Sequence, residues 1–295
     1  MELKLPGYWE SSDSSSLKNQ RLALGIARSR NGGLIAAAAA TVIASQPILT
    51  DARWVAVAGF TLALIAEVLD LTLNPTQKWY QGRAFAESSK TLAWRFAVGG
   101  SPFPVEMTSA DAEILLTERL ADINSEAWSE VAVPLEGATV TSQMRELRAK
   151  GFEERKAAYL EGRIKNQQNW YAEKANDCNE KSCWWKVVLV TGEVLALVWS
   201  IACAMNPGLW NATGLLTTVI GCGSAWVSLK QFDNLKTAYA AASHELTHIA
   251  AKLEVADNAN WALVVDDAEE AISREHTLWL ASRSGVTSVR GLSKR

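Results

Sequence analysis

The chain has 295 residues, room for one large domain or two of ordinary size, and a formal net charge of −3. So balanced a charge offers no basic surface to a phosphate backbone, and no nucleic-acid partner is expected. Apolar residues make up 48% of the chain but come in blocks, and 4 cysteines over this length do not make a disulfide framework.

From the N-terminus, residues 1–16 are polar and contain no apolar core ahead of a cleavage site, so no signal peptide is expected. Residues 17–30 read as a short amphipathic helix entered from a serine-rich cap, suited to lying on a membrane surface. Residues 31–46 are uncharged around a five-alanine run, and the 36 residues of 194–229 carry no charge at all. Four segments have the length and polarity of bilayer spans: about 32–49, 54–73, 184–205 and 209–229. Each comes close to the roughly 20 apolar residues that cross a hydrocarbon core. Tight turns, at 46–51 and at Asn206-Pro207-Gly208, join them in pairs. That predicts two helical hairpins, since backbone in lipid must satisfy its own hydrogen bonds. Trp54, Trp184, Trp185, Trp210 and Trp226 fall at the span ends, where amphipathic rings favour the headgroup layer.

Lysine and arginine give the orientation. Lys4, Lys18, Arg21, Arg28 and Arg30 precede the first span, and Lys78, Arg83, Lys90, Arg95, Lys174, Lys181, Lys230 and Lys236 flank the others. The hairpin turns hold only Arg53. Both turns are therefore expected outside, and both termini and the middle of the chain in the cytoplasm. The predicted fold class is an all-α integral membrane protein, with four transmembrane helices as two hairpins and a cytoplasmic helical bundle. Cys178 and Cys183 fall on the cytoplasmic side and Cys203 and Cys222 within spans, so reduced thiols are expected.

Outside the spans strand signals are almost absent. Residues 76–98 read as a helix stopped by Gly99-Gly100-Ser101-Pro102-Phe103-Pro104, and 110–128 as a second. Residues 141–181 have charges spaced like one long solvated helix leading into the third span. A helix continues from the fourth span to about residue 254. After a break at Asp257-Asn258, a last helix covers about 261–283, with Trp261, Val265, Ala268, Ile272 and Trp279 as its buried stripe. Glu270 and Arg274 form a favourable i,i+4 pair, and Arg274, Glu275, His276 and Arg283 crowd around Trp279.

The halves echo one another. Gln77-Lys78-Trp79-Tyr80-Gln81-Gly82-Arg83-Ala84 matches Gln168-Asn169-Trp170-Tyr171-Ala172-Glu173-Lys174-Ala175 at five identical or similar positions. In each copy a cation, Arg83 or Lys174, shares a helix face with the tryptophan four residues earlier and can lie over the ring or meet a lipid phosphate.

Three acids fall inside predicted spans: Glu193 near the middle of the third, Glu67 and Asp70 in the cytoplasmic half of the second. An ionised carboxylate at mid-bilayer costs about 2.5–3.5 kcal/mol, so it faces a partner or water. Two readings stand for Glu193: a ring of carboxylates lining a cation path in an oligomer, or a protonated side chain bonding Thr191, Thr213 or Thr217 between helices. Glu67 and Asp70 also fit the interface.

His244-Glu245-Leu246-Thr247-His248 matches the signature in which two histidines on one helix face hold zinc beside a general base. Asp266, Asp267, Glu269 and Glu270 are candidate third ligands. Against a peptidase stand the lack of a strand to align substrate and the helix's apolar stripe, Leu235, Tyr239, Leu246, Ile249 and Leu253, which lies nearly opposite the histidines.

Two blocks carry a family resemblance. Arg163-x3-Gln167-x2-Trp170-Tyr171-x2-Lys174-Ala175, two spans, and Ile272-Ser273-Arg274-Glu275-His276-Thr277-x-Trp279-x3-Arg283 resemble the SLATT domains, two-transmembrane "SMODS and SLOG-associating" effectors. Trp79, Arg83-Ala84, Ala86-Glu87-Ser88, Lys90-Thr91, Trp94-Arg95 and Gly99-Gly100-x-Pro102-Phe103 resemble a second SLATT subtype. The resemblance implies a bacterial inner-membrane effector of an antiphage conflict system, forming homo-oligomers that perforate the membrane on a nucleotide-derived signal relayed by partner defence proteins. It implies no catalytic residue and no cofactor. The expected organisation is an N-terminal helix (1–31), a first SLATT-like unit (32–107), a linker (108–150), a second SLATT-like unit (151–285) and a tail (286–295). Trp79, Arg83, Arg163, Trp170, Tyr171, Lys174, Arg274, Glu275, His276, Trp279 and Arg283 are the candidates for cytoplasmic coupling. A zinc peptidase using His244 and His248, and a non-conducting membrane scaffold, are the alternatives.

Overall fold

The computed structural model describes residues 3–45, 51–127 and 137–284, of which 124–127 and 274–284 by backbone alone. The described residues form ten α-helices and no strand: α1 (Gly7–Ala44), α2 (Ala52–Leu73), α3 (Pro75–Val98), α4 (Ser109–Ala127), α5 (Ser142–Arg148), α6 (Phe152–Tyr159), α7 (Asn166–Met205), α8 (Thr213–Lys230), α9 (Phe232–Val255) and α10 (Trp261–Ser284). A π-helical turn, Leu160–Lys165, joins α6 to α7.

The order contains a repeat. A long helix (38 residues in α1, 40 in α7) is followed by an apolar helix, then by a helix of 24 residues (α3, α9). In both copies a single left-handed residue ends the apolar helix, Asn74 at φ 45° and Gln231 at φ 51°. Each donates its backbone N–H to the carbonyl four residues earlier, the αL stop. Pro75 fits the first position of α3, where no N–H is needed.

The chain divides into two units. The described residues of Gln20–Pro75 and Asn176–Lys236 form the first, which holds both hairpins. Here α1 and α2 meet through small residues: a Cβ on Gly33 would stand 2.6 Å from the Gly59 carbonyl oxygen, and one on Gly59 2.6 Å from that of Gly33. Backbones this close are the means by which helices associate without a hydrophobic driving force. The other side of α1 meets α8, with Asn31 Nδ2 donating to the Cys222 carbonyl at 3.2 Å and the Arg28 guanidinium over the Trp226 ring. Helix α8 packs on α7 through Gly223, whose Cβ would touch Leu189, and through Ile220 beside Gly192. The order is thus α2–α1–α8–α7.

Among the described residues two helices are long and apolar enough to cross a bilayer, α2 and the stretch that ends at Met205. The other two predicted spans lie in α1 and α8, where alanine in the one and Thr213, Thr217, Thr218 and three glycines in the other dilute the apolarity. The more apolar pair turns its large side chains outward, Phe60, Leu64 and Leu71 on α2 and Val187, Val194 and Leu197 on α7. The first predicted turn lies largely outside the described residues. Residues 17–30 are not a separate surface helix: they continue without a break into α1.

The second unit comprises the described residues of Met1–Asn19, Thr76–Ala175 and Thr237–Arg295. Its core includes Trp94, Phe96, Phe103, Leu116, Met144, Tyr159, Ile164, Tyr171, Leu246, Leu253 and Trp261. The stop predicted after α3 is a Schellman turn: Gly99 at φ 76°, with Gly100 N–H to the Arg95 carbonyl at 2.8 Å and Gly99 N–H to Phe96 at 3.4 Å. Buried Arg148 ties this turn to α5, donating to the carbonyls of Phe96, Phe103 and Pro104 at 2.8–3.0 Å. Burial holds the Arg148 guanidinium below its ordinary pKa. At the predicted break before α10, Asp257 accepts from the N–H groups of Ala259 and Asn260.

The reading of 141–181 as one solvated helix is overturned. Lys150 and Gly151 interrupt it between α5 and α6, and Arg148, Arg155, Tyr159, Arg163, Ile164, Gln167 and Tyr171 are buried. Charge spacing misled because three of those buried residues are arginines on the inward stripe: Arg163 binds Glu269, and Arg148 and Arg155 donate to backbone carbonyls.

The α1–α2 contact supplies a matched test. Gly33→Ala has to push two backbones apart and is expected to lower stability by about 1–3 kcal/mol. A Cβ on neighbouring Gly32 meets nothing within 4 Å, so Gly32→Ala is expected to be neutral or to gain about 0.5–1 kcal/mol of helix propensity. Unfolding of the two variants in detergent measures the difference.

Candidate functional site

Two places concentrate the chemistry, one in each unit. In the unit built on α3–α7, α9 and α10 it is a buried ion pair. Glu269 of α10 is 0% exposed and Arg163 of the π turn 1%. The guanidinium grips the carboxylate with two bonds, Nε to Oε1 at 2.9 Å and Nη2 to Oε2 at 2.7 Å. The Tyr159 hydroxyl donates to Oε1 at 3.0 Å and the Thr91 hydroxyl to Oε2 at 2.9 Å, so all the carboxylate's partners come from inside the protein. Burial opposes the charge on Arg163, yet Glu269 overrides it and holds the guanidinium pKa above its ordinary value. Burial, then the Glu269 charge, pushes the Tyr159 hydroxyl well up, so it stays a donor. Lys90, one residue from Thr91, is driven down, by burial first and then by Arg163.

Local sequence explains the placement. Tyr159, Arg163, Gln167 and Tyr171 recur at helical spacing and are all buried. The wider π turn also brings the consecutive residues Arg163 and Ile164 inward together. Glu269 sits four residues after Val265 and three before Ile272, within the predicted stripe of α10. That spacing is the signal by which it is findable.

The other coupling candidates lie in the same unit. Trp79 and Tyr80 stack at 4.8 Å, Trp170 and Tyr171 at 5.3 Å, and in each copy the tyrosine is buried and the tryptophan half-buried. Trp170 also meets Tyr239 at 5.4 Å. Arg83 pairs with Glu87 at 2.8 Å and Asp13 at 3.5 Å: carboxylates draw its charge. Lys174 is half-buried. Arg274, Glu275, His276, Trp279 and Arg283 lie on the backbone of α10, with side chains outside the described ones.

The second place is the pair of strongly apolar helices. Glu193 is exposed on α7, seven residues beyond Lys186, about 10 Å along the axis. Lys186 binds Asp233 at 2.6 Å, and Ser182 donates to the same carboxylate at 2.7 Å. The Lys186 bond, then that from Ser182, holds the Asp233 pKa down at about 2, a fixed charge pair marking one end of the span. Glu67 is paired with Arg30 at 2.8 Å, and half-buried Asp70 lies just before the end of α2. Of the three acids, Glu193 alone stands deep in its helix on an exposed face.

The zinc signature is not assembled. His244, Glu245 and His248 are exposed on α9, while Leu246, Ile249 and Leu253 are buried. Glu269, a candidate third ligand, is committed to Arg163, and Asp266 pairs with Arg95 at 2.6 Å. Among the described residues no group of three or more metal-binding side chains occurs.

Two helices long and apolar enough to cross a bilayer, with large side chains turned outward, suggest a membrane protein. The profile of SMODS and SLOG-associating 2TM effector domain 3 matches residues 6–156, and that of domain 1 matches residues 159–279. The chain belongs to this SLATT effector family and carries two of its domains in tandem; the family is associated with antiphage conflict systems. No curated protein and no solved structure matches the chain.

Arg163–Glu269 sets a test of its own. Removing one partner strands a buried charge, so Glu269→Gln or Arg163→Met is expected to cost about 3–5 kcal/mol. The double variant Arg163→Met/Glu269→Leu recovers a large part of that, and a double-mutant cycle on denaturant unfolding reads the coupling. For the histidines, elemental analysis of purified protein is expected to find zinc well below one per chain, unchanged by His244→Ala; stoichiometric zinc lost in that variant restores the peptidase reading.

Proposed function

We propose that the protein is a multi-pass effector of the bacterial inner membrane whose copies associate and open a cation-permeable path. Four helices cross the bilayer in this reading: α1 and α8, the less apolar, are shielded by packing against α2, α7 and each other. Both termini and the α3–α6 segment are cytoplasmic, in keeping with the lysine and arginine distribution. The trigger is a nucleotide-derived signal relayed by partner defence proteins to the cytoplasmic unit. The protein acts without catalysis or cofactor.

One observation carries the reading: Glu193 is exposed on a face of α7 otherwise covered by Val187, Val190, Val194 and Leu197. A lone chain in lipid sets a carboxylate in hydrocarbon at a cost of about 2.5–3.5 kcal/mol. Association of copies through that face gathers the carboxylates around water, where they favour cations. A non-conducting scaffold would use the residue only as a protonated side chain bonding Thr191, Thr213 or Thr217 between helices.

The test is conductance of the purified protein in liposomes. Wild type is expected to pass cations in preference to anions, and Glu193→Gln to lose that preference while inserting normally. Conductance with the cation preference unchanged in Glu193→Gln rejects the carboxylate ring; absence of conductance from an inserted, associated protein favours the scaffold.

A further inference from the structure

Lys186, Thr191, Glu193 and Ser200 are the charged or hydroxyl-bearing residues of α7 between 186 and 205, and all are exposed. Lys186, Glu193 and Ser200 stand seven residues apart, on one line about 21 Å long. Thr191 falls on the other side of the helix. The line borders the contact with α8: Lys186 follows Trp185, which reaches Gly223, and Glu193 follows Gly192, which faces Ile220. At that edge Lys186 meets Asp233, placed just after the left-handed stop of α8 at Gln231. Lys186 Nζ lies 2.6 Å from Oδ2 of the carboxylate, while Ser182 donates to Oδ1 at 2.7 Å and Lys236 Nζ is 3.4 Å from the same oxygen.

We propose that Lys186 and Asp233 form a charge filter at the mouth of the path that Glu193 lines, with Lys186 on its wall and Asp233 cancelling the lysine's charge. This filter rests on the conducting reading given above and adds the residues that set its selectivity. A seven-residue repeat keeps one helix face toward a shared axis through a left-handed supercoil. Copies that gather Glu193 therefore gather Lys186 at one end and Ser200 at the other. A ring of bare lysines in front of a ring of carboxylates would favour anions at the entrance and oppose the cations drawn by Glu193. Asp233 removes that conflict. Lys236 belongs to α9 and stands off the line. The pair's value to stability is small, because the Lys186 side chain is 62% exposed and that of Asp233 48%, and exposed ion pairs contribute little. Three groups nevertheless hold Asp233 in place, and what they fix is the sign of the charge that Lys186 presents.

The test uses full-length protein in liposomes under a potassium chloride gradient, where the reversal potential reads cation against anion preference. Dilute salt is used, since these exposed charges are screened by ions. Asp233→Asn uncovers Lys186 and is expected to lower the cation preference severalfold. Lys186→Gln leaves Asp233 held by Ser182 and Lys236, and is expected to raise it. The double variant Lys186→Gln/Asp233→Asn is expected to return to about the wild-type preference, a rescue that a purely structural ion pair would not give.

A preference unmoved by Asp233→Asn, or not restored in the double variant, overturns the filter. If Asp233→Asn does not insert, Lys186→Gln decides alone, and an unchanged preference in that variant rejects Lys186 as a wall residue. Loss of preference in Glu193→Gln together with no effect at Lys186 and Asp233 keeps the carboxylate ring and rejects only its mouth. Opposite shifts in the two single variants, with Glu193→Gln unchanged, uphold the filter and reject the ring. An inserted wild type that passes no ions rejects both.

Discussion

The Arg163–Glu269 pair is the constraint around which the polar unit is organised. A carboxylate and a guanidinium without access to water are tolerable only if every strong acceptor site is met, and Glu269 is met by Arg163, Tyr159 and Thr91 together. Those residues come from α10, the π turn, α6 and α3. Shifting any of these elements by one residue would strand a charge, so the pair fixes their register more sharply than apolar contacts could. It also joins the two effector domains: Thr91 belongs to the first match, and Tyr159, Arg163 and Glu269 to the second. Tandem domains joined by a buried hydrogen bond, from the Thr91 hydroxyl to the Glu269 carboxylate, do not fold as independent beads.

The repeat and the two units divide the chain in different directions. Each effector domain contributes one hairpin to the apolar unit and its flanking helices to the polar one. Helices α1 and α7 are continuous across that division. A rigid helix carries a rotation or tilt along its length where a flexible linker would absorb it.

Much of this architecture was legible in the sequence because it follows from apolarity and from strong stop signals. The end of α3 at Gly99-Gly100, the break at Asp257-Asn258 and the stripe of Trp261, Val265, Ala268 and Ile272 each depend on a few local residues. The Trp-Tyr echo was legible for the same reason, and its two copies have matching burial. What sequence reading lost was the inside of the polar unit. Arg148, Arg155, Arg163 and Glu269 look like solvated charge because periodicity assigns charge to the outside. Whether a partner waits in the core depends on contacts such as Arg163–Glu269, 106 residues apart. The His-Glu-x-x-His pattern shows the complementary limit: five residues fix two histidines on one face but say nothing of a third ligand, and among the described residues none joins them.

Three acids in or beside the apolar helices show how differently one chemical problem is handled. Glu67 is neutralised within the chain by Arg30, at the same level of the hairpin as Arg28 and Trp226. Asp70 lies close enough to the end of α2 to reach the headgroup layer. Glu193 has neither remedy: Lys186, the nearest basic residue on its own helix, is two turns away and bound to Asp233. The packed side of α7, through Leu189 and Gly192, is already taken by α8. Its carboxylate therefore projects from a surface where lipid is the worst available neighbour and another copy of α7, with water between, is a better one. In the proposed assembly, association removes the free-energy cost of leaving it in hydrocarbon, so the residue that complicates the monomer would supply part of the drive to assemble.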